Sequence, residues 1–409
     1  MNFRELGLDE KLLEGIDAMG YETATPVQAQ VIQPILEGKD IIASAQTGTG
    51  KTAAFLLPIV HKMLTAHHSA HHINALIIVP TRELAIQIAE TMEGLGYFTD
   101  ISCIAVYGGG DGNSFVAEKK ALSTGVDMVV CTPGRMIAHL NMGYVKMNEV
   151  NYLVLDEADR MLDMGFNDDI MKIISFLPKK RQNLLFSATM PQKMRDLARK
   201  LLQNPVEINI AVSKPPEQIV QEAFVVYEPQ KIPLIKFILN SKNYTRVIIF
   251  CSKKQHVKQL AAELKRAQFS IEEIHSDLLQ DKREQVMQDF RNKKLKILVA
   301  TDILSRGIDI EEIELVINYD VPNDGEDYIH RIGRTARAES TGTAITFISE
   351  AEQRKFLAIE ELLGKQVTKI PVPEQFGEAP VYAPSQGGRG GSRSGGGGRS
   401  GGKQWQKRR

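Results

Sequence analysis

The segment Ala45-Gln46-Thr47-Gly48-Thr49-Gly50-Lys51-Thr52 sets two glycines ahead of a lysine and a threonine. Glycines at this spacing let successive backbone N–H groups curl around phosphate oxygens. Lys51 can then reach the outer phosphates of a nucleoside triphosphate, and Thr52 can ligate Mg²⁺. Ala45 stands where the general pattern opens with glycine. Such a site also needs a metal-binding carboxylate at the end of a neighbouring strand. Tyr152-Leu153-Val154-Leu155 is followed at once by Asp156-Glu157-Ala158-Asp159. Asp156 can hold the metal through water, and Glu157 can take a proton from an attacking water. An acidic helix start would give the same pair through the helix dipole. Its position after a buried strand and downstream of the glycine loop favours the metal role.

These residues need elements to hold them. Short apolar runs at 40–44, 75–79, 127–131, 152–155 and 183–186 alternate with helical patterns such as 83–95. Unbroken runs such as Leu76-Ile77-Ile78-Val79 fit strands buried on both faces. The pattern restarts at 246–250, 296–300, 315–319 and 343–348. Between the halves, 211–218 carries Pro215-Pro216 and no apolar period, as a linker does. The expected fold is therefore α/β, with two tandem lobes, each a parallel sheet flanked by helices. The lobes fall at 1–210 and 219–372, with an extension and tail over 373–409.

Of 409 residues, 43% are hydrophobic and 24% charged, the balance of an ordinary globular chain. No apolar run approaches the span of a bilayer, and the first residues lack a signal-peptide core, which points to the cytoplasm. Cys103, Cys131 and Cys251 fit no metal-ligand spacing and read as small apolar residues. The formal net charge is zero, yet residues 385–409 hold seven basic residues and no acid, so the first 384 carry the balancing −7. That tail is Gly, Arg and Ser with almost nothing apolar, and is expected to be disordered. Its charge points to a polyanionic partner; a solubilising end is the alternative. The run His67-His68-Ser69-Ala70-His71-His72 reads as a solvated loop.

Asp156-Glu157-Ala158-Asp159, continued by Arg160-Met161-Leu162-Asp163-Met164-Gly165-Phe166, resembles the signature of DEAD-box RNA helicases. The resemblance runs in order from Phe3 to about residue 350. Gly20 to Gln28, with Tyr21, Thr25 and Gln28, resembles the family's adenine-reading Q motif. Thr81 and Arg82 lie in Pro80-Thr81-Arg82-Glu83-Leu84-Ala85. With Gly108-Gly109 and Thr132-Pro133-Gly134-Arg135, this block resembles the RNA-contacting segments. Ser187-Ala188-Thr189 resembles the element that couples hydrolysis to unwinding. In the second half, residues 300–309 and 330–337 resemble the last two family motifs. Ser276 and Ala336 stand where glycine is usual. The Gly-Arg tail and the length resemble the bacterial RhlE-like branch.

The resemblance implies two RecA-like lobes, ATP and Mg²⁺ as cofactors, and RNA as partner, with protein partners in ribosome assembly or RNA decay. It implies adenine contacts at Tyr21, Thr25 and Gln28, and phosphate contacts from Ala45, Gln46, Thr47, Gly48, Thr49, Gly50, Lys51 and Thr52. The metal falls to Thr52 and Asp156, the ribose to Asp309, and catalysis to Lys51, Asp156, Glu157, Arg334 and Arg337. Coupling falls to Asp159, Ser187, Thr189 and His330. RNA contacts fall to Thr81, Arg82, Gly109, Thr132, Arg135, Arg283, Thr301 and Gly307. From spacing alone, Arg331, Arg334 and Arg337 at i, i+3, i+6 would share one side of a helix, and composition would make that side a solvated basic face. An ATPase acting on DNA or protein, and an RNA clamp with little unwinding, are the competing readings.

Overall fold

The strongest apolar runs form the middles of two sheets. The computed structural model describes residues 1–45, 49–66, 72–109, 112–210, 219–301, 313–323, 325–335 and 342–384. In the first lobe the helices are α1 (Glu10–Ala18), α2 (Pro26–Leu36), α3 (Lys51–Thr65), α4 (Arg82–Leu95), α5 (Gly112–Thr124), α6 (Pro133–Asn141), α7 (Ala158–Asp163), α8 (Asn167–Ile174) and α9 (Gln192–Leu201). They cover a sheet of β1 (Ile41–Ser44), β2 (Ala75–Ile78), β3 (Cys103–Val106), β4 (Met128–Cys131), β5 (Tyr152–Leu155), β6 (Gln182–Ser187) and β7 (Val206–Asn209).

The second lobe has a sheet of β8 (Ile219–Val225), β9 (Val247–Phe250), β10 (Ile271–Ile274), β11 (Ile297–Ala300), β12 (Leu315–Asn318), β13 (Gly342–Ile348) and β14 (Thr368–Lys369). Its helices are α10 (Glu228–Ser241), α11 (Lys254–Arg266), α12 (Gln280–Arg291), α13 (Gly325–Ile332) and α14 (Gln353–Leu363).

The strand orders are β3-β4-β2-β5-β6-β1-β7 and β10-β11-β9-β12-β13-β8-β14. All the paired strands run parallel, with registers such as Ile41↔Leu184 and Leu76↔Leu153. Successive residues of a central strand serve opposite cores: Ala75 and Ile77 face one apolar cluster, Leu76 and Ile78 the other. Each such fully buried Leu or Ile stabilises the lobe by about 2 kcal/mol.

The nine strands expected from the sequence are present. Five were not anticipated. Four of these, β3, β7, β10 and β14, are the edges of the two sheets. An edge strand is half solvated and needs no unbroken apolar run; Ile271-Glu272-Glu273-Ile274 is the clearest case. The fifth, β8, carries Gln221-Glu222 at its middle and borders the two-residue β14. Residues 373–384 return to the second lobe, where Gln230 Nε2 donates to the carbonyls of Phe376 and Glu378, both at 2.9 Å. Among the described residues no helix is long and apolar enough to cross a membrane. The expected linker 211–218, the histidines of 67–71 and the tail 385–409 lie outside the described residues.

Candidate nucleotide and RNA site

Parallel strands all end on one edge, so the first lobe gathers its strand-to-helix loops there. Strand order divides that edge in two. Adjacent β5, β6 and β1 release Asp156-Glu157, Ser187 to Thr189 and the glycine loop. Adjacent β3, β4 and β2 release Gly109, Thr132-Arg135 and Thr81-Arg82. Segments over a hundred residues apart thus meet as two neighbouring half-edges.

On the first half-edge, Lys51 opens α3 and is buried. Its Nζ donates to Ala45 O at 2.8 Å and stands 4.0 Å from Asp156 Oδ1. Gly50 is left-handed at φ 89°, and a Cβ there would lie 2.5 Å from Gln28 Nε2. Glycine is therefore required twice over, by conformation and by space. Thr25 and Gln28 form a capping box on α2. Gln28 Oε1 accepts from Thr25 N at 2.9 Å and Nε2 donates to Gly50 O at 3.1 Å. An amide has a second lone pair and a second hydrogen, the two features that an adenine edge can meet. Tyr21 stacks on Phe3 with centroids 6.5 Å apart.

Burial pushes the Asp156 carboxyl up to about 6, with Glu157 adding to the rise and Lys51 opposing it. A carboxylate whose charge is penalised by burial fits a cation. The hard oxygens of Thr52 and Asp156 suit Mg²⁺. Among the described residues no group of three or more His, Cys, Asp or Glu could hold a metal. Glu157 is buried and adopts φ 50°, ψ 46°. That left-handed conformation costs a non-glycine residue about 1–2 kcal/mol. Its carboxylate meets Arg160 Nη1 at 3.2 Å. Asp159 Oδ2 accepts from both Thr189 N (2.9 Å) and Thr189 Oγ1 (3.0 Å), and Ser187 Oγ donates to Thr189 O at 2.6 Å. The segments following β5 and β6 are thereby tied together.

On the second half-edge, Thr81 caps α4, accepting from Leu84 N at 3.4 Å. Gly109, at φ 89°, lies against Arg82: a Cβ would fall 2.0 Å from Arg82 Nη1. Thr132 starts α6 without a side-chain cap bond. Arg283 reaches across from the second lobe and donates to Glu83 Oε1 at 2.5 Å. Burial and the nearby Arg283 lower the affinity of Arg82 for its proton. Thr301 follows β11, and its Oγ1 is buried with no hydrogen-bond partner among the described residues.

The expected arginine stripe is corrected. α13 stops at Ile332. Arg331 is 0% exposed and donates from Nη1 to Asn318 Oδ1 (3.2 Å) and Asp320 O (3.0 Å). Arg334 lies beyond the helix, buried, with Nε donating to His330 O at 3.3 Å. A core arginine and a post-helical one do not share a solvated face. His330 is buried on α13. Gln46, Thr47, Gly48, Gly307, Asp309 and Arg337 lie outside the described residues. Sequence reasoning missed Glu118, which binds Arg135, and Lys231, which sits in the second lobe where Lys51 sits in the first.

Residues 25–197 match the DEAD/DEAH box helicase family and 230–339 the helicase conserved C-terminal domain. The ATP-dependent RNA helicase CshA of Listeria monocytogenes is 42% identical over 372 residues, 91% of this chain and 70% of that protein. DbpA of Bacillus subtilis, also named an ATP-dependent RNA helicase, is 40% identical over 91% of this chain and 77% of its own length. S. cerevisiae Dbp5 bound to RNA and ADP BeF3 superposes with a TM-score of 0.81 at 31% identity, covering 90% of this chain and 95% of that one. A DEAD box protein of Methanococcus jannaschii, 38% identical and again covering 90% of this chain and 99% of its own, scores 0.52.

Proposed function

The chain belongs to the DEAD-box family of ATP-dependent RNA helicases, and we propose the following division of labour among its residues. It is an RNA-stimulated ATPase whose two lobes bind RNA and separate short duplexes locally. The triphosphate of ATP lies along residues 45–52, with Lys51 on the outer phosphates and Gln28 and Tyr21 on adenine. Thr52 and Asp156 hold Mg²⁺, which supplies charge neutralisation on the phosphates when bound. Glu157 takes the proton of the attacking water as its oxygen bonds to the γ-phosphorus and the bond to the β–γ bridging oxygen breaks. Arg334 and Arg337 steady the charge that develops, and Asp309 holds the ribose. The tie from Asp159 to Thr189 passes the loss of the γ-phosphate to the RNA side.

Thr81, Arg82, Gly109, Thr132, Arg135, Arg283, Thr301 and Gly307 hold RNA. Their small, polar or basic types suit phosphate and sugar contacts over base reading, so little sequence preference follows. We take 1–210 and 219–372 as the lobes, 211–218 as linker, and 385–409 as a basic tether that adds salt-sensitive affinity for RNA. The cytoplasm, partners in ribosome assembly or RNA decay, and the RhlE-like branch complete the reading.

The observation that carries it is the divided sheet edge, with Arg283 of the other lobe bound to its RNA half. ATPase turnover with and without RNA, in wild type and Glu157→Gln, tests it. RNA should stimulate the wild type, and the variant should lose about 10²–10⁴ in kcat. Full activity in Glu157→Gln, or turnover indifferent to RNA, contradicts the assignment.

A further inference from the structure

Arg135 is held before any ligand arrives. Its Nε donates to Glu118 Oε2 at 2.6 Å, and its guanidinium carbon sits over the Phe115 ring, 4.5 Å from the centroid. The same Glu118 oxygen meets His139 Nε2 at 2.7 Å. A carboxylate can only accept, so Nε2 carries the proton; Nδ1 of that ring meets the Tyr144 hydroxyl. Phe115 in turn stacks on His139, with centroids 4.5 Å apart and planes 13° apart. Glu118 is 5% exposed and His139 0%. Two residues of α5 thus grip two of α6.

An acid in the middle of a helix has no local need to be buried, and burying it is costly unless its bonds are well satisfied. Here both bonds lead towards Arg135 or its support. Resting on the reading of Arg135 as an RNA contact, we propose that Glu118 is a positioning residue for RNA. It fixes the guanidinium so that the terminal nitrogens meet a backbone phosphate with little further loss of rotamer freedom. The Arg135 side chain keeps 14% of its surface exposed to such a ligand, and its buried Nη2 has no hydrogen-bond partner among the described residues. Both contacts to Glu118 fall on one oxygen, and an amide oxygen can accept the same two bonds. Charge and geometry can therefore be separated: Glu118→Gln keeps the acceptor and Glu118→Ala removes it.

The experiment measures ATPase against RNA concentration for wild type, Glu118→Gln, Glu118→Ala, Arg135→Ala and the Glu118→Ala/Arg135→Ala double variant. Glu118→Ala should raise the half-saturating RNA concentration about tenfold, the scale of one newly mobile side chain, with kcat at saturating RNA changed far less. Glu118→Gln should stay close to wild type. The double variant should be no worse than Arg135→Ala, since Glu118 acts through that residue. Full additivity of the two alanines overturns the proposal, as does Glu118→Gln behaving like Glu118→Ala. An Arg135→Ala variant with normal RNA dependence overturns the underlying contact and the proposal with it. Should Glu118→Ala not fold, Phe115→Leu removes the ring beneath the guanidinium while keeping the carboxylate. It carries the same expectation of raised half-saturating RNA and non-additivity with Arg135→Ala.

Discussion

The two lobes share one strand order, so β1, β5 and β6 correspond in position to β8, β12 and β13. Each lobe sets a buried lysine near the start of the helix after the first of these strands, beside an aspartate that follows the second. In the first lobe this is Lys51 with Asp156 at 4.0 Å. In the second it is Lys231, 0% exposed, with Asp320 at 3.6 Å. What differs is the company. Glycine leads into Lys51, whereas Lys231 follows Glu228-Pro229, with Glu228 Oε1 at 2.7 Å and Glu352 Oε2 at 3.8 Å. Side-chain carboxylates of the second lobe stand around its lysine where a phosphate would be expected from the first. The frame is common to both lobes, and under the proposed function the loop chemistry decides which one binds nucleotide.

Breaking the two lysines separately is the sharpest use of this comparison. Lys51→Ala should lower kcat by about 10²–10³, the cost of removing a preorganised charge at the reacting phosphate. Lys231→Met should leave kcat nearly intact and destabilise the protein by about 3 kcal/mol, because the buried Asp320 carboxylate loses its partner. Steady-state ATPase and thermal unfolding on the same samples check both; the reverse pattern would dissolve the contrast.

Asp156 offers the next largest effect. Its folded pKa of about 6 lies above the ordinary 3.8, so its stabilising contribution is whole below the unfolded value and lost as pH rises through 6. In the nucleotide-free protein above pH 7, Asp156→Asn should therefore gain about 3 kcal/mol of stability while losing ATPase. Melting curves from pH 4 to 8 should show wild type and variant converging in acid. A variant less stable than wild type at pH 7.5 would contradict the charge account.

The smallest effect concerns the interlobe pair. Glu83→Ala removes the acceptor of Arg283, and the partly buried ion pair is worth about 1 kcal/mol. RNA affinity in the presence of an ATP analogue should fall about fivefold, and the loss in Glu83→Ala/Arg283→Ala should fall short of the sum of the two single losses. Strict additivity would separate the two residues.

Much of this was legible in the sequence, and the exceptions share a cause. The glycine loop, the Asp-Glu pair and the central strands are dictated by local chemistry and by burial on both faces. The edge strands β7, β10 and β14 escape because half their surface meets solvent and breaks the apolar run. Glu118 reads as a solvated helix acid and Lys231 as a surface i,i+3 partner of Glu228, since a linear pattern cannot tell a charge facing water from one closed over by another element. Arg331 escapes for a related reason: the three-residue spacing of the arginines is real, but α13 ends before Arg334.

The central claim is that Lys51 and Glu157 of the first lobe and Arg334 and Arg337 of the second act on one nucleotide while both lobes hold RNA, which requires nucleotide and RNA binding to be reciprocally coupled. RNA affinity measured by fluorescence anisotropy, with and without a non-hydrolysable ATP analogue, tests this most directly, using wild type and Arg334→Ala. The account predicts tightening by at least about tenfold with the analogue in wild type, a coupling near 1.4 kcal/mol, and little tightening in Arg334→Ala. Equal RNA affinity with and without the analogue in wild type would contradict it.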